Sequence, residues 1–191
     1  MISIEVNAKQ LTELREACGR AKKDFSKELA AAINDTVKKT KTNISKEIRT
    51  VVNVKKKTID SGIRTKRSSI QNLKGMVSLK HERRAGSGLQ HFGAKQNARG
   101  VSYQISPKKG RKTIAGAWLS GINSKLYGGV FKRAGTTRLP IVKLYGVTPY
   151  AAYVKNDFDE IEPAFIEQKL QEQMDRRIKL NVLRANGLVS N

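Results

Sequence analysis

At 191 residues and 38% hydrophobic, the chain is long enough to bury a core and too apolar to be a disordered tail. Its 38 Lys and Arg against 16 Asp and Glu leave a net charge of +22, so copies repel one another unless salt, acidic partners or a polyanion screen them. Cys18 has no second cysteine to pair with, MISIEVNAKQ lacks the apolar run of a signal peptide, and no stretch approaches the roughly 18 apolar residues of a membrane span. The expectation is a soluble intracellular chain, one domain over 1–191.

In chain order, ISIEV alternates and is β-branched, and Asn7 suits an N-cap before a long helical stretch. Leu11, Leu14, Cys18, Ala21, Phe25, Leu29, Ile33 and Val37 recur three or four apart, and Ile44, Ile48 and Val51 resume the stripe. Gly19 is the point where this helix would bend or divide, since glycine costs about 1 kcal/mol against alanine in a helix interior. Cys18, on the apolar stripe, reads as a small buried hydrophobe. A short helix is expected in VKKKTIDSGIRT, whose Lys55, Lys56 and Lys57 suit phosphate contact and plain solvation equally. These elements make up a strand and helical region over 1–66.

A basic, β-rich core is expected over 67–155. IQNLKGMVSLK has β character, and residues 81–100, rich in Gly, Arg and Lys, read as a long loop of the kind that is usually functional or disordered. GVSYQISPKKGRKTIAGAWLSG reads as two strands, with Val101, Tyr103 and Ile105 on one face, joined by SPKKG. Proline second and glycine last suit a type I turn, so the hairpin tip carries Lys108, Lys109, Arg111 and Lys112. A second hairpin follows: GGVFKR, the turn AGTT, then RLPIVKLYG with Pro140 near a strand start or sheet edge. Lys132, Arg133 and Arg138 surround its turn. The last region, 156–191, is helical, with acids and Pro163 early, Lys and Arg later, Gly187 as a stop, and an apolar stripe of Ile166, Leu170, Met174 and Ile178. That helix suits packing on the sheet or on a neighbouring subunit.

The pattern as a whole is α+β: a largely antiparallel sheet of about four or five strands built from hairpins, flanked by a long N-terminal helix and a C-terminal helix. From Arg83 to Asn156 there are 14 Lys or Arg and no acid, whereas seven of the 16 acids lie between Asp157 and Asp175. A charge run is often only a solvated face, but an acid-free stretch of this length points to phosphates and counterion release. Arg83, Arg84, Lys108, Lys109, Arg111, Lys112, Lys132, Arg133 and Arg138 are the candidate DNA- or partner-binding residues. Tyr103, Trp118, Tyr127 and Tyr145 interleave with these cations and suit base stacking, although strand packing explains them as well.

Little in the chain suggests catalysis. His81 and His91 lack metal-ligand spacing, the GSG at 86–88 is not a phosphate-binding loop, and the acids fall at ordinary helical surface spacing. No enzyme activity, cofactor or metal is expected.

The order HFGAKQNARGVSYQISPKKGRKTIAGAWL, GGVFKR and RLPIVKLYGVTP resembles the core pattern of the minor tail protein Z family of tailed bacteriophages and prophages. The motif covers residues 89–149 through Phe92, Gly93, Gly100, Val101, Gly116, Ala117, Phe131, Arg133, Arg138, Leu139, Pro140, Ile141 and Gly146. The helices on either side agree with the family in order and length. One departure is GVTP, where the family pattern has a smaller residue than Val147 and a Ser near Thr148. The resemblance implies a non-enzymatic tail-completion protein at the head-proximal end of the virion tail, assembled in the bacterial cytoplasm. It further implies a homo-oligomeric ring, of six copies, next to a tail terminator or connector ring and around the DNA passage. The residues alone leave open a free-standing, sequence-nonspecific architectural DNA-binding protein, or, less in keeping with the absent acid cluster, a nuclease.

Overall fold

The alternation between helical and strand periodicity becomes, in a computed structural model, five helices and nine strands over the described residues 2–3, 8–80, 87–121 and 128–189. Asn7, His81, Arg83, Arg84 and Tyr127 fall outside them. The chain forms two compact units: residues 1–44, 63–79 and 158–191, and residues 45–62 and 80–157.

The first unit is mainly helical. Helix α1 (Ala8–Arg20) and helix α2 (Phe25–Val51, its first 20 residues in this unit) come from the long apolar stripe. Gly19 does not divide them. The helix runs through it and stops where Lys22 takes a left-handed conformation, with Lys23 N–H reaching back to the Cys18 carbonyl at 2.9 Å. Asp24 then caps the next helix through Lys27 N–H. The C-terminal helix α5 (Phe158–Ala185) packs on α1, and Leu14, Cys18, Leu29, Ile33, Ile166, Leu170 and Met174 are buried. A turn closes α5 at Gly187, as its position suggested, with Leu188 N–H bonded to the Leu183 carbonyl. Strands β1 (Ile2–Ser3), β2 (Ile63–Lys66) and β3 (Met76–Leu79) form an antiparallel sheet in the order β1-β3-β2. The Asn34 amide holds the connection after β2 by exchanging hydrogen bonds with the Ser68 backbone.

The second unit holds the end of α2, a short helix α3 (Lys56–Gly62), six strands and helix α4 (Pro149–Lys155). Within the segment expected to be a loop, residues 95–97 are strand β4, paired with β5 (Gly100–Tyr103). Its residues, Lys, Gln and Asn, are all exposed, so β4 has no apolar alternation and is held by backbone pairing and by Gln96, whose amide donates to the Gly100 carbonyl. The turn after β5 is closed by Lys109 N–H to the Ser106 carbonyl, with Pro107 second, as expected.

The α+β class, the antiparallel hairpin pairing and the helices toward both ends of the chain are all present. The strands divide among three small sheets: β1-β3-β2 is one, and Gly116, at φ +68°, breaks the stretch KTIAGAWLS between the other two. Its first half, β6 (Lys112–Ala115), pairs with β5, and its second half, β7 (Ala117–Ser120), pairs with β8 (Gly129–Arg133). Strand β9 (Ile141–Lys143) completes the sheet β7-β8-β9 at its edge, directly after Pro140.

In the first unit several charges pair across helices. Arg177 on α5 donates to Glu28 at 2.7 Å and to Asp35 at 2.8 Å on α2, and Arg184 adds a longer contact to Glu28. The Asp35 carboxyl lies below its ordinary range: burial pushes it up, but the Arg177 and Lys38 hydrogen bonds and charges outweigh that. Arg177→Met should therefore cost about 2 kcal/mol in urea unfolding at neutral pH, since it takes the shared partner from two partly buried carboxylates and leaves Asp35 only Lys38 and Glu28 only the longer Arg184 contact. A depressed carboxylate contributes stability that is complete above its unfolded pKa of about 4 and is lost as pH falls through the lower folded value. The wild type should lose this increment in that acid window, and Arg177→Met, with only Lys38 left on Asp35, should show a smaller step.

Candidate functional site

The acid-free stretch lies almost wholly in the second unit, where it is built into two hairpins. Phe92, fully buried after a turn of 3-10 helix at Leu89–His91, fixes their bases: its carbonyl accepts Gln104 N–H, and its ring packs against Gly146 so closely that a Cβ there would overlap it. Val101, Ala117, Val130 and Phe131 are buried with it, and Trp118 stacks on Phe131 at 6.2 Å. The apolar side chains of the strands thus hold the sheets, and the cations stand outward.

Lys108, Lys109 and Lys112 on the first hairpin, and Lys132, Arg133 and Arg138 on the second, are all exposed. Among the described residues none of these six side chains enters an ion pair or a hydrogen bond. Arg111 differs. Its Nη2 donates to the Gly93 carbonyl at 2.6 Å and to the Ser102 carbonyl at 3.0 Å, pinning the loop after Phe92 to β5. It has a structural task that its neighbours lack. Arg83 and Arg84, the other two candidates, lie outside the described residues.

A pocket of about 560 Å³ opens beside the first hairpin. Val51, Val52, Ile105, Val147 and Ala152 give it aliphatic walls, together with Tyr103. Lys108, Lys109, Lys112 and Lys155 also line it, and among the described residues no Asp or Glu does. Helix α4 brings Lys155 to this place. It starts with Thr148 as N-cap, whose Oγ1 accepts Ala151 N–H at 2.9 Å, and with Pro149 in its first turn. The Thr-Pro pair is a helix-start signal present in the sequence, but the short helix it announces was not expected, nor was the pocket. Val147, where the chain departs from the tail-protein pattern, is one of the pocket walls.

Of the aromatics considered for stacking, Trp118 is occupied by Phe131, Tyr103 faces the pocket, and Tyr145 is half exposed with Lys143 Nζ 6.0 Å from its ring centre. His91 is pushed below the usual histidine range, first by partial burial and then by Lys143 and Lys55, which fits a region of positive potential. Cys18 belongs to the other unit. It is buried against Asn181, and burial with Glu28 and Asp24 nearby raises its thiol pKa, so it stays protonated as a core residue. Among the described residues no three His, Cys, Asp or Glu side chains gather as metal ligands, and no helix is long and apolar enough to cross a membrane.

No protein-family model, curated protein or solved structure matches the chain. Arg111→Lys tests the division of roles within the hairpin. The shorter lysine side chain ends before the position from which Arg111 Nη2 reaches both carbonyls, so stability by chemical denaturation should fall by about 1 kcal/mol. Lys108→Gln, with no partner to lose, should leave stability within about 0.5 kcal/mol of the wild type.

Proposed function

We propose that the chain is a non-catalytic structural protein whose second unit presents two cationic hairpins to the phosphate backbone of duplex DNA. The observation that carries this reading is the set of six exposed cations, unpaired among the described residues, on two hairpins in a stretch without acids. A protein that needed these charges only for solubility could scatter them. Grouping them with no acid nearby carries a repulsion that a polyanion relieves. The contacts are to phosphate, so they give affinity without base readout, which suits a surface that must accept any sequence.

The resemblance of residues 89–149 to the minor tail protein Z pattern supports a specific setting. The protein completes the tail at its head-proximal end and is thereby part of the virion, joined to a terminator or connector ring. Its copies form a closed, head-to-tail ring, of six in keeping with tail symmetry, around the passing genome. The positions that carry the resemblance are largely packing and backbone positions, with Phe92, Val101, Ala117 and Phe131 buried. A free-standing architectural DNA-binding protein is the second reading, favoured by the same exposed cations. Light scattering of the purified chain on DNA and on tails separates the two.

Duplex affinity measured across salt concentrations tests the DNA contact. Each phosphate neutralised adds about 0.9 to the slope of log affinity against log salt, so replacing Lys108, Lys109 and Lys112 with Gln should lower the slope by roughly 2 to 3. The fold, followed by circular dichroism, should be unchanged. An unchanged slope would mean that these lysines are only solvated.

A further inference from the structure

The pocket beside the first hairpin combines two properties that a phosphate surface does not need together. Its rim carries Lys108, Lys109, Lys112 and Lys155, and its walls are branched aliphatic side chains, among them Val52, Ile105 and Val147. Its volume of about 560 Å³ lies in the range of sites that enclose a compact group. A DNA duplex meets a protein with its hydrated phosphates outermost and has no apolar group to place on such walls. A single strand could insert a base, but bases are held by aromatic faces and by polar groups at their edges. Tyr103 is the one aromatic among the described lining residues, and the pocket's uncharged polar side chains besides Tyr103 are Ser106 and Asn156, whose amide is already donating to the Ala152 carbonyl at 2.7 Å. An aliphatic or aromatic amino-acid side chain, by contrast, fills the pocket in the way it would fill a core, and flanking carboxylates would satisfy the lysines.

We propose that this pocket receives an acidic segment of a partner protein, with one apolar side chain seated on the aliphatic walls and neighbouring carboxylates on Lys108, Lys109, Lys112 and Lys155. The inference rests on the reading of the second unit as a polyanion-facing surface and goes beyond it by adding a protein partner. Because the segment and DNA would share the hairpin lysines, each lowers the affinity of the other. The apolar anchor is what separates the two ligands: it contributes to peptide binding and nothing to DNA binding.

The test is a panel of short fluorescein-labelled, amidated peptides in which acidic residues flank one variable central residue, titrated with the full chain at physiological salt and read by anisotropy. Peptides with Leu, Ile or Phe at the centre should bind at least about tenfold more tightly than peptides of equal charge with Ser or Gly, the worth of burying one apolar side chain. Val147→Asn, which alters a wall without altering charge, should remove that preference and leave duplex affinity unchanged. Should it disturb the fold, Val147→Thr keeps the shape and should shift the preference in the same direction. Affinities that follow charge alone, or no binding by any peptide while DNA still binds, would overturn this proposal and leave the DNA reading standing. Loss of both peptide and DNA binding would remove both. An oligothymidylate strand that binds and is weakened by Val147→Asn, with no preference among peptides, would reassign the pocket to nucleic acid.

Discussion

Phe92 against Gly146 is the contact on which the second unit turns. The ring is wholly buried and occupies the space that any larger residue at 146 would need, so the segment after β9 can lie directly over the start of the first hairpin. From this point the backbone bonds spread outward: Gln104 N–H to the Phe92 carbonyl, Leu89 N–H to the Leu144 carbonyl and Gly146 N–H to the Ser87 carbonyl. The two hairpins are therefore tied at their bases by apolar packing and main-chain bonds. Their tips take almost no part in holding the fold, which leaves the lysines there available for something outside the molecule.

The two units handle charge in opposite ways. In the first, cations and acids meet: Arg177 reaches Glu28 and Asp35, Lys169 reaches Glu172, and the hydrogen bonds from Lys169 hold the Glu172 carboxyl below its ordinary range. In the acid-free part of the second, cations meet backbone carbonyls or rings, as Arg111 and Lys143 do, or have no ion pair or hydrogen bond among the described residues. Such a surface costs some self-repulsion and lowers stability at low salt. No ion pair among the described residues offsets that cost, which is the physical ground for reading it as a binding surface.

Much of this was legible in the sequence, and the reasons for the exceptions are local. The long apolar stripe, Pro107 and the Pro140 strand start each have a mechanism that acts over a few residues, so α1, α2, the first turn and β9 appear where those signals lie. Strand β4 was hidden because Lys95, Gln96 and Asn97 are polar and exposed and owe their conformation to the neighbour they pair with. Gly116 looked like an ordinary residue within a strand, and only its left-handed backbone shows that it ends one sheet and begins another. Charge clustering named the candidate cations, and six of them are exposed on the hairpins. Arg111's bonds to Gly93 and Ser102, and the joining of Val51, Val147 and Lys155 around one pocket, depend on tertiary structure and left no periodic trace.

The central claim, that the hairpin cations of the second unit are the surface that meets DNA, is tested most directly by lysine acylation with mass spectrometry, with and without duplex DNA. Lys108, Lys109, Lys112 and Lys132 should be protected by the duplex, while Lys27, Lys38 and Lys179, exposed on the first unit, should react at the rate of the free protein. Equal protection across both units, or protection confined to the first, would contradict the account.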